Sequence, residues 1–272
     1  MNGPEWFASW SGGADSTAQI ILALEHGEPL TAAVYCEIMY SKTRSAEVPE
    51  HRDFIYKTAI PWLERQGVEV IVLRSKKTAL EWMMSRSVKG KSKGKIHGFP
   101  LSGNQGWCSV KRDCKLPPLD EFRRKHPGAI YYEGICADEK KRIKPNKEAQ
   151  GAYLLVKYGY TQEMSRDLCK RMGLLSPIYS FAKRGGCYFC PNASDSELRH
   201  LWKHHRDLWD ELLEIEANPE IIRPGKFRVE EGLHDIGRRF QLEADQITFD
   251  DLAGISQTSC NMNCAACPGC GR

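Results

Sequence analysis

The stretch Glu5-Trp6-Phe7-Ala8-Ser9-Trp10, then Ser11-Gly12-Gly13-Ala14-Asp15-Ser16-Thr17, then Ala18-Gln19-Ile20-Ile21-Leu22-Ala23-Leu24 decides the fold. An apolar run of strand length enters a glycine-rich turn. A helix follows, with Ile20, Ile21 and Leu24 on one face and Gly27 as its stop. Working outward, Thr31 to Cys36 predicts a second strand, and Pro49 to Gln66 a helix that turns Phe54, Ile55 and Trp62 to a core and kinks at Pro61. Val68 to Leu73 predicts a third strand, Thr78 to Arg86 a third helix, and Ala129 to Ile135 a later core strand. Strands alternating with helices are the pattern of an α/β fold with a parallel sheet.

The second half reads differently. Thr161 caps a helix that runs to Met172 and stops at Gly173. Ser194-Asp195-Ser196-Glu197 is a capping box opening a long amphipathic helix, with Leu198, Leu201, Trp202, Trp209, Leu212 and Leu213 as its apolar face. The expected division is an α/β domain over 1–176, a Cys-x-x-Cys segment with a smaller helical region over 177–256, and a cysteine-rich tail over 257–272. The basic stretch Lys89-Gly90-Lys91-Ser92-Lys93-Gly94-Lys95 reads as a solvated loop, or as a lid over phosphates or a nucleic-acid backbone.

The chain has 272 residues, 41% of them apolar and 27% charged, which fits an ordinary globular protein. Its net charge of +4 suits an anionic substrate without itself arguing for nucleic acid. No stretch is apolar enough for a membrane span, and Met1 to Glu5 lacks the basic start and apolar run of a signal peptide, so a cytoplasmic location is expected. In that compartment eleven cysteines point to metal or redox chemistry rather than disulfides.

The glycine turn carries the chemistry. Gly12 and Gly13 let the backbone approach a ligand closely, the helix start offers unpaired N–H groups, and Ser11, Ser16 and Thr17 add hydroxyls. It is neither a Gly-Lys-Ser/Thr P-loop nor a Gly-x-Gly-x-x-Gly fingerprint. The plainer alternative is a turn before a helix that Asp15 or Ser16 caps.

The cysteines fall into two sets. Cys187-x-x-Cys190 has metal-ligand spacing, and with the close pair Cys108 and Cys114 it makes four thiolates, the number that a [4Fe–4S] cluster or a zinc ion takes. Lys111, Arg112, Lys183 and Arg184 are expected to offset their charge and lower their pKa values. Cys36 and Cys169 read as buried free thiols. Cys260, Cys264, Cys267 and Cys270 form a dense run that predicts a second metal site, Zn²⁺ or iron–sulfur, with a redox-active dithiol as the alternative.

Several of these segments together resemble the PP-loop superfamily, in its phosphoadenosine phosphosulfate reductase-like branch. Ser11 to Ser16 is similar to the superfamily loop. Trp107-Cys108-Ser109 with Lys115 and Pro118-Leu119, Gly134-Ile135-Cys136-Ala137-Asp138-Glu139-Lys140-Lys141-Arg142, and Pro177-Ile178 with Gly186-Cys187-Tyr188-Phe189-Cys190-Pro191 are similar to the branch's later segments, in order over about residues 5 to 195. The resemblance implies a Rossmann-like parallel sheet with helices on both faces and an adenine nucleotide at the strands' carboxyl ends. It implies that Ser11, Gly12, Gly13, Asp15 and Ser16 hold phosphates, with Asp15 and Arg142 as the candidate catalytic residues. Arg142 would be a second anion contact, or else a surface ion pair with Asp138 or Glu139. Cys36 and Glu37 would lie near the adenosine, and the first cysteine set would hold iron–sulfur rather than zinc.

Two chemistries follow from the resemblance. In one, ATP and Mg²⁺ adenylate a substrate and a sulfur donor then displaces AMP. In the other, a sulfonucleotide such as adenylyl sulfate is reduced with a thiol reductant. Glu230-Glu231-Gly232-Leu233-His234 puts Glu231 where reductases of the branch carry their nucleophilic cysteine, and Cys136 stands where the branch often has arginine. A carboxylate cannot form the thiosulfonate, so adenylation-type transfer ranks first. A tRNA or DNA substrate is compatible with the lysine-rich loop. A third reading is a non-catalytic nucleotide- or nucleic-acid-binding metalloprotein using His204, His205 and Arg206, although that helix reads more simply as a solvated face.

Overall fold

The structure, a computed structural model, describes residues 3–100 and 108–258, with side chains up to residue 246. The expected tail site of Cys260, Cys264, Cys267 and Cys270, and Trp107, lie outside the described residues.

Four strands, β1 (Trp6–Trp10), β2 (Ala32–Glu37), β3 (Glu69–Arg74) and β4 (Ile130–Glu133), form one all-parallel sheet in the order β3-β2-β1-β4. Ala8 pairs with Ala33 on one side and with Tyr132 on the other. The strands alternate between two apolar layers, because successive side chains leave a strand on opposite faces. On one face Ala8, Trp10, Ala33, Tyr35 and Tyr132 pack with Ile20 and Ala23 of α1 (Ala14–Glu25), Phe54 of α2 (Pro49–Phe54) and Leu63 of α3 (Ile60–Arg65). On the other, Phe7, Ala32 and Val34 meet Phe122. All six residues of β2 are buried, as a strand covered on both faces requires.

The expected helix over Pro49 to Gln66 is present as three consecutive segments. A π-helical turn, Ile55–Ala59, links α2 to α3 with helical dihedrals at both junctions, and Pro61 follows it within this continuous helix. The chain continues through α4 (Ala79–Met84), whose cap is a Thr78–Glu81 capping box, α5 (Ser109–Cys114), α6 (Leu116–Lys125), which carries Phe122, α7 (Pro145–Ala149), α8 (Leu154–Lys157) and α9 (Gln162–Arg171), capped by Thr161.

The Ser194–Glu197 capping box is formed as its sequence predicts, but the long helix it opens breaks at His205, with φ −133° and ψ 62°. The result is α10 (Asp195–His204) and α11 (Arg206–Ala217), followed by α12 (Leu233–Thr258). Buried Glu216 on α11 accepts hydrogen bonds from the amides of Leu233 (2.6 Å) and His234 (3.2 Å), so the start of α12 is capped from another helix.

These three helices share a core apart from the sheet. Trp209, Leu212, Ile236 and Phe240 pack with Tyr40 after β2, Trp82 of α4, Val110 and Cys114 of α5, and Phe189. The helical region is therefore seated on the loops and short helices beyond the strands' carboxyl ends. Among the described residues no helix is long and apolar enough to cross a membrane.

Candidate functional site

A cleft of about 660 Å³ opens at the carboxyl ends of the strands. Ser9 and Ser11 bring the end of β1 to it, Ile38 the end of β2 and Gly134 the end of β4. The chain leaves β1 towards β2 and β3 and returns to the opposite side as β4, so the cleft sits where the strand order reverses. In open parallel sheets such a point leaves a crevice that neither crossover covers.

The turn Ser11 to Ser16 forms one wall. Its amides are partly committed to the protein: Ser11 N–H donates to Ser16 Oγ at 3.2 Å and Ala14 N–H to Tyr179 Oη at 2.7 Å. Ser16 Oγ in turn donates to the Gly13 carbonyl at 3.0 Å. Among the described residues, the amides of Gly12, Gly13, Asp15 and Ser16 have no protein acceptor, and Gly13, Asp15 and Ser16 line the cleft. Unpaired amides at the start of α1 add their partial positive charge to the cleft.

Distant residues hold the turn in shape. His51, 2% exposed, has Nε2 3.1 Å from the Ser11 carbonyl and Nδ1 2.9 Å from Ser176 Oγ. In the neutral ring Nε2–H donates to the carbonyl and Nδ1 accepts from the hydroxyl. Gly12 has φ +72°, and a Cβ there would lie 2.6 Å from Ile55 Cγ1. A Cβ on Gly134 would lie 2.9 Å from Ser16 N, so the end of β4 presses directly on the turn's backbone.

The cleft is also lined by Lys115, Arg142, Arg166, Lys183 and Arg184, against the carboxylates of Asp15, Glu47 and Glu139. Cations thus outnumber anions around the open amides. Arg142 lines the cleft and pairs with Glu139 at 2.6 Å, the ion pair that was the plainer of its two sequence readings. Burial raises the pKa of Asp15, opposed by a hydrogen bond from Cys136, while Glu139 and Asp138 reinforce the rise. Burial and the Asp15 charge push the Cys136 thiol up to about 12. Carboxyl oxygens of Asp15 and Glu139 and the Cys136 sulfur lie within 4.8 Å of one another. The two carboxylates suit a hard cation such as Mg²⁺, whereas a neutral thiol does not.

Four of the residues expected at the nucleotide are directed elsewhere. Gly12 turns towards Ile55 and His51, behind the cleft wall. Thr17 is 1% exposed and its Oγ1 accepts from Trp10 Nε1 at 3.0 Å. Cys36 is buried, its thiol donating to the Lys115 carbonyl at 3.4 Å, and burial pushes it up to about 11. Glu37 is wholly buried, bonded to Tyr56 Oη (2.7 Å) and Arg74 Nε (2.8 Å). None of these four lines the cleft. Sequence reading missed Arg166, Tyr179 and His51 at the site. Tyr179 directly follows Pro177-Ile178, but nothing local marks its contact with a residue 165 positions away.

Cys108, Cys187 and Cys190 line a second cavity of about 320 Å³ together with Lys111, Lys115 and Arg184. Cys114 does not line it; its thiol is fully buried in the helical core. Burial raises the thiols of Cys187 and Cys190, and Lys115 beside the first and Arg184 beside the second only partly offset this. The expected lowering by neighbouring cations is thus outweighed by desolvation. The two cavities share Ile38, Lys115, Arg184, Gly185, Gly186 and Cys187 as lining.

Comparison with known protein families, with curated proteins and with solved structures gives no match for this chain.

Proposed function

We propose that this chain is an adenine-nucleotide-dependent enzyme of the PP-loop type, with a Rossmann-like sheet, that transfers an adenylyl group from ATP to a substrate oxygen. The observation that carries this reading is the set of open amides at the start of α1, facing a crevice lined by Lys115, Arg142, Arg166, Lys183 and Arg184. Such a site holds an extended polyanion: oriented N–H groups bind one phosphate and the cations spread along the others. The substrate oxygen attacks the α-phosphorus, the bond to the bridging oxygen breaks, and pyrophosphate leaves with its charge held by the turn and the arginines. Asp15 and Glu139 would hold Mg²⁺, which supplies further charge neutralisation on the phosphates.

Sulfur delivery to the adenylated intermediate, from a sulfur donor and next to a [4Fe–4S] cluster, is the finer part of the proposal. Three thiols, Cys108, Cys187 and Cys190, fit as ligands around one cavity that shares a wall with the cleft. Cys114 fits less well, being buried away from that cavity. Support for transfer over sulfonucleotide reduction comes from Glu231. Its carboxylate is engaged by Arg239 and Arg228, and it does not line the cleft.

The test is direct. ATP binding competed by pyrophosphate, and pyrophosphate release on adding candidate RNA, DNA or small-molecule acceptors, are expected. Arg166→Gln should weaken ATP binding by about tenfold, equivalent to ~1.4 kcal/mol. A protein that binds neither ATP nor pyrophosphate sinks the reading. Anaerobic purification should give brown protein whose iron is lost in C187S/C190S; a colourless protein removes the cluster and leaves adenylation standing.

A further inference from the structure

Away from the cleft, three side chains from two parts of the chain converge. Glu50 lies in the first turn of α2, His200 on α10, and His205 at the break between α10 and α11. Both imidazoles bring Nε2 to the same carboxylate oxygen, Glu50 Oε1, at 2.7 Å and 2.9 Å. The other oxygen, Oε2, is buried without a hydrogen-bond partner. Two imidazoles crowd one oxygen while its twin is left bare, although one bond to each would satisfy both.

We infer that Glu50, His200 and His205 form a binding site for a divalent metal ion of the zinc class. The three donor atoms lie within 4.8 Å of one another, and tetrahedral bonds of about 2.0–2.1 Å would space them roughly 3.3 Å apart, so a small outward shift admits the ion. Two neutral imidazoles and one carboxylate are a zinc donor set, and the bare Oε2 is available to the same ion. His200 is also held in place: its ring stacks on Phe181 at 3.6 Å between centroids, with planes 4° apart. The side chains are only 18%, 19% and 30% exposed for His200, His205 and Glu50, so the ion would be partly screened from water. Three protein ligands leave a coordination position for water.

The chain break at His205 gains a physical reason. Non-helical dihedrals at this residue let its ring meet the same carboxylate as His200, five residues earlier. The ion would clip α2 to the helical region. Its ligand Glu50 is adjacent to His51, which holds the Ser11 carbonyl of the cleft turn. His200 shares a small cavity with Cys187, but Glu50, His200 and His205 line neither the cleft nor the thiol cavity, and the test does not depend on the proposed adenylation.

The experiment compares zinc content in the full-length wild type and E50Q after loading with Zn²⁺ and dialysis. Glutamine keeps an oxygen to accept from the imidazoles but loses the charge that an ion needs. E50Q should hold one zinc fewer per chain, with thiol-bound metal unchanged; equal contents overturn the inference. Should E50Q fail to fold, histidine modification of the wild type by diethyl pyrocarbonate decides. Zn²⁺ should suppress labelling of His200 and His205 but not of His26 or His126, and unchanged labelling of the pair overturns the inference.

Discussion

Gly12 concentrates two requirements in one position: a left-handed φ of +72° and no room for a Cβ, with Ile55 2.6 Å away. Either alone disfavours a side chain, and together they predict that Gly12→Ala destabilises the protein by at least ~2 kcal/mol. Urea unfolding measures this, and a loss under about 0.5 kcal/mol would contradict the described turn. At this scale the sequence was informative where chemistry is local. Ser11, Gly13, Asp15 and Ser16 were legible because strand, glycines and helix start follow one another directly, and all four line the cleft. Thr17, in the same run, was misjudged because one helical step rotates its hydroxyl to Trp10 and the core. His51, Arg166 and Tyr179 were not legible, since their roles exist only once distant elements have packed.

Between elements, Glu37 shows how a strand end can be occupied structurally. Its carboxylate joins the end of β2 to Arg74 at the end of β3 and to Tyr56 in the π-helical turn, with Arg52 of α2 3.5 Å away. Burial opposes ionisation, but hydrogen bonds from Tyr56, Arg74 and Ser45 prevail and hold the pKa below the ordinary carboxylate value of 4.5. A depressed folded-state pKa gives stability that is fully present above the unfolded value and lost as pH falls through the folded one. Glu37→Gln should therefore cost about 1–3 kcal/mol at pH 7, with the gap to wild type closing below about pH 4. A gap unchanged down to pH 3 in denaturant titrations would refute this. Helix starts were readable from Thr161 and Ser194, whose caps form as their spacing implies. The interruption at His205 was hidden, because neither glycine nor proline marks it and its partner Glu50 lies far back in the chain.

Over the whole molecule the net charge is only +4, yet Lys115, Arg142, Arg166, Lys183 and Arg184 converge on one crevice. Composition conceals this focusing, since the cations come from segments dispersed along the chain. Pyrophosphate affinity should accordingly fall about tenfold between ~0.02 and ~0.2 M salt, and less steeply in a variant carrying both Arg166→Gln and Lys183→Gln. Isothermal titration across salt concentrations reads this, and a flat salt response would show that the cations do not govern binding. The α/β order and the helical second half were legible from periodicity, while the seating of those helices on the segments after β2 and β3 was not, because a shared core leaves no periodic trace. Gly185, Gly186 and Cys187 line both the anion crevice and the thiol cavity. A ligand that displaces these shared residues in one cavity is expected to alter binding in the other, and by the same factor in reverse.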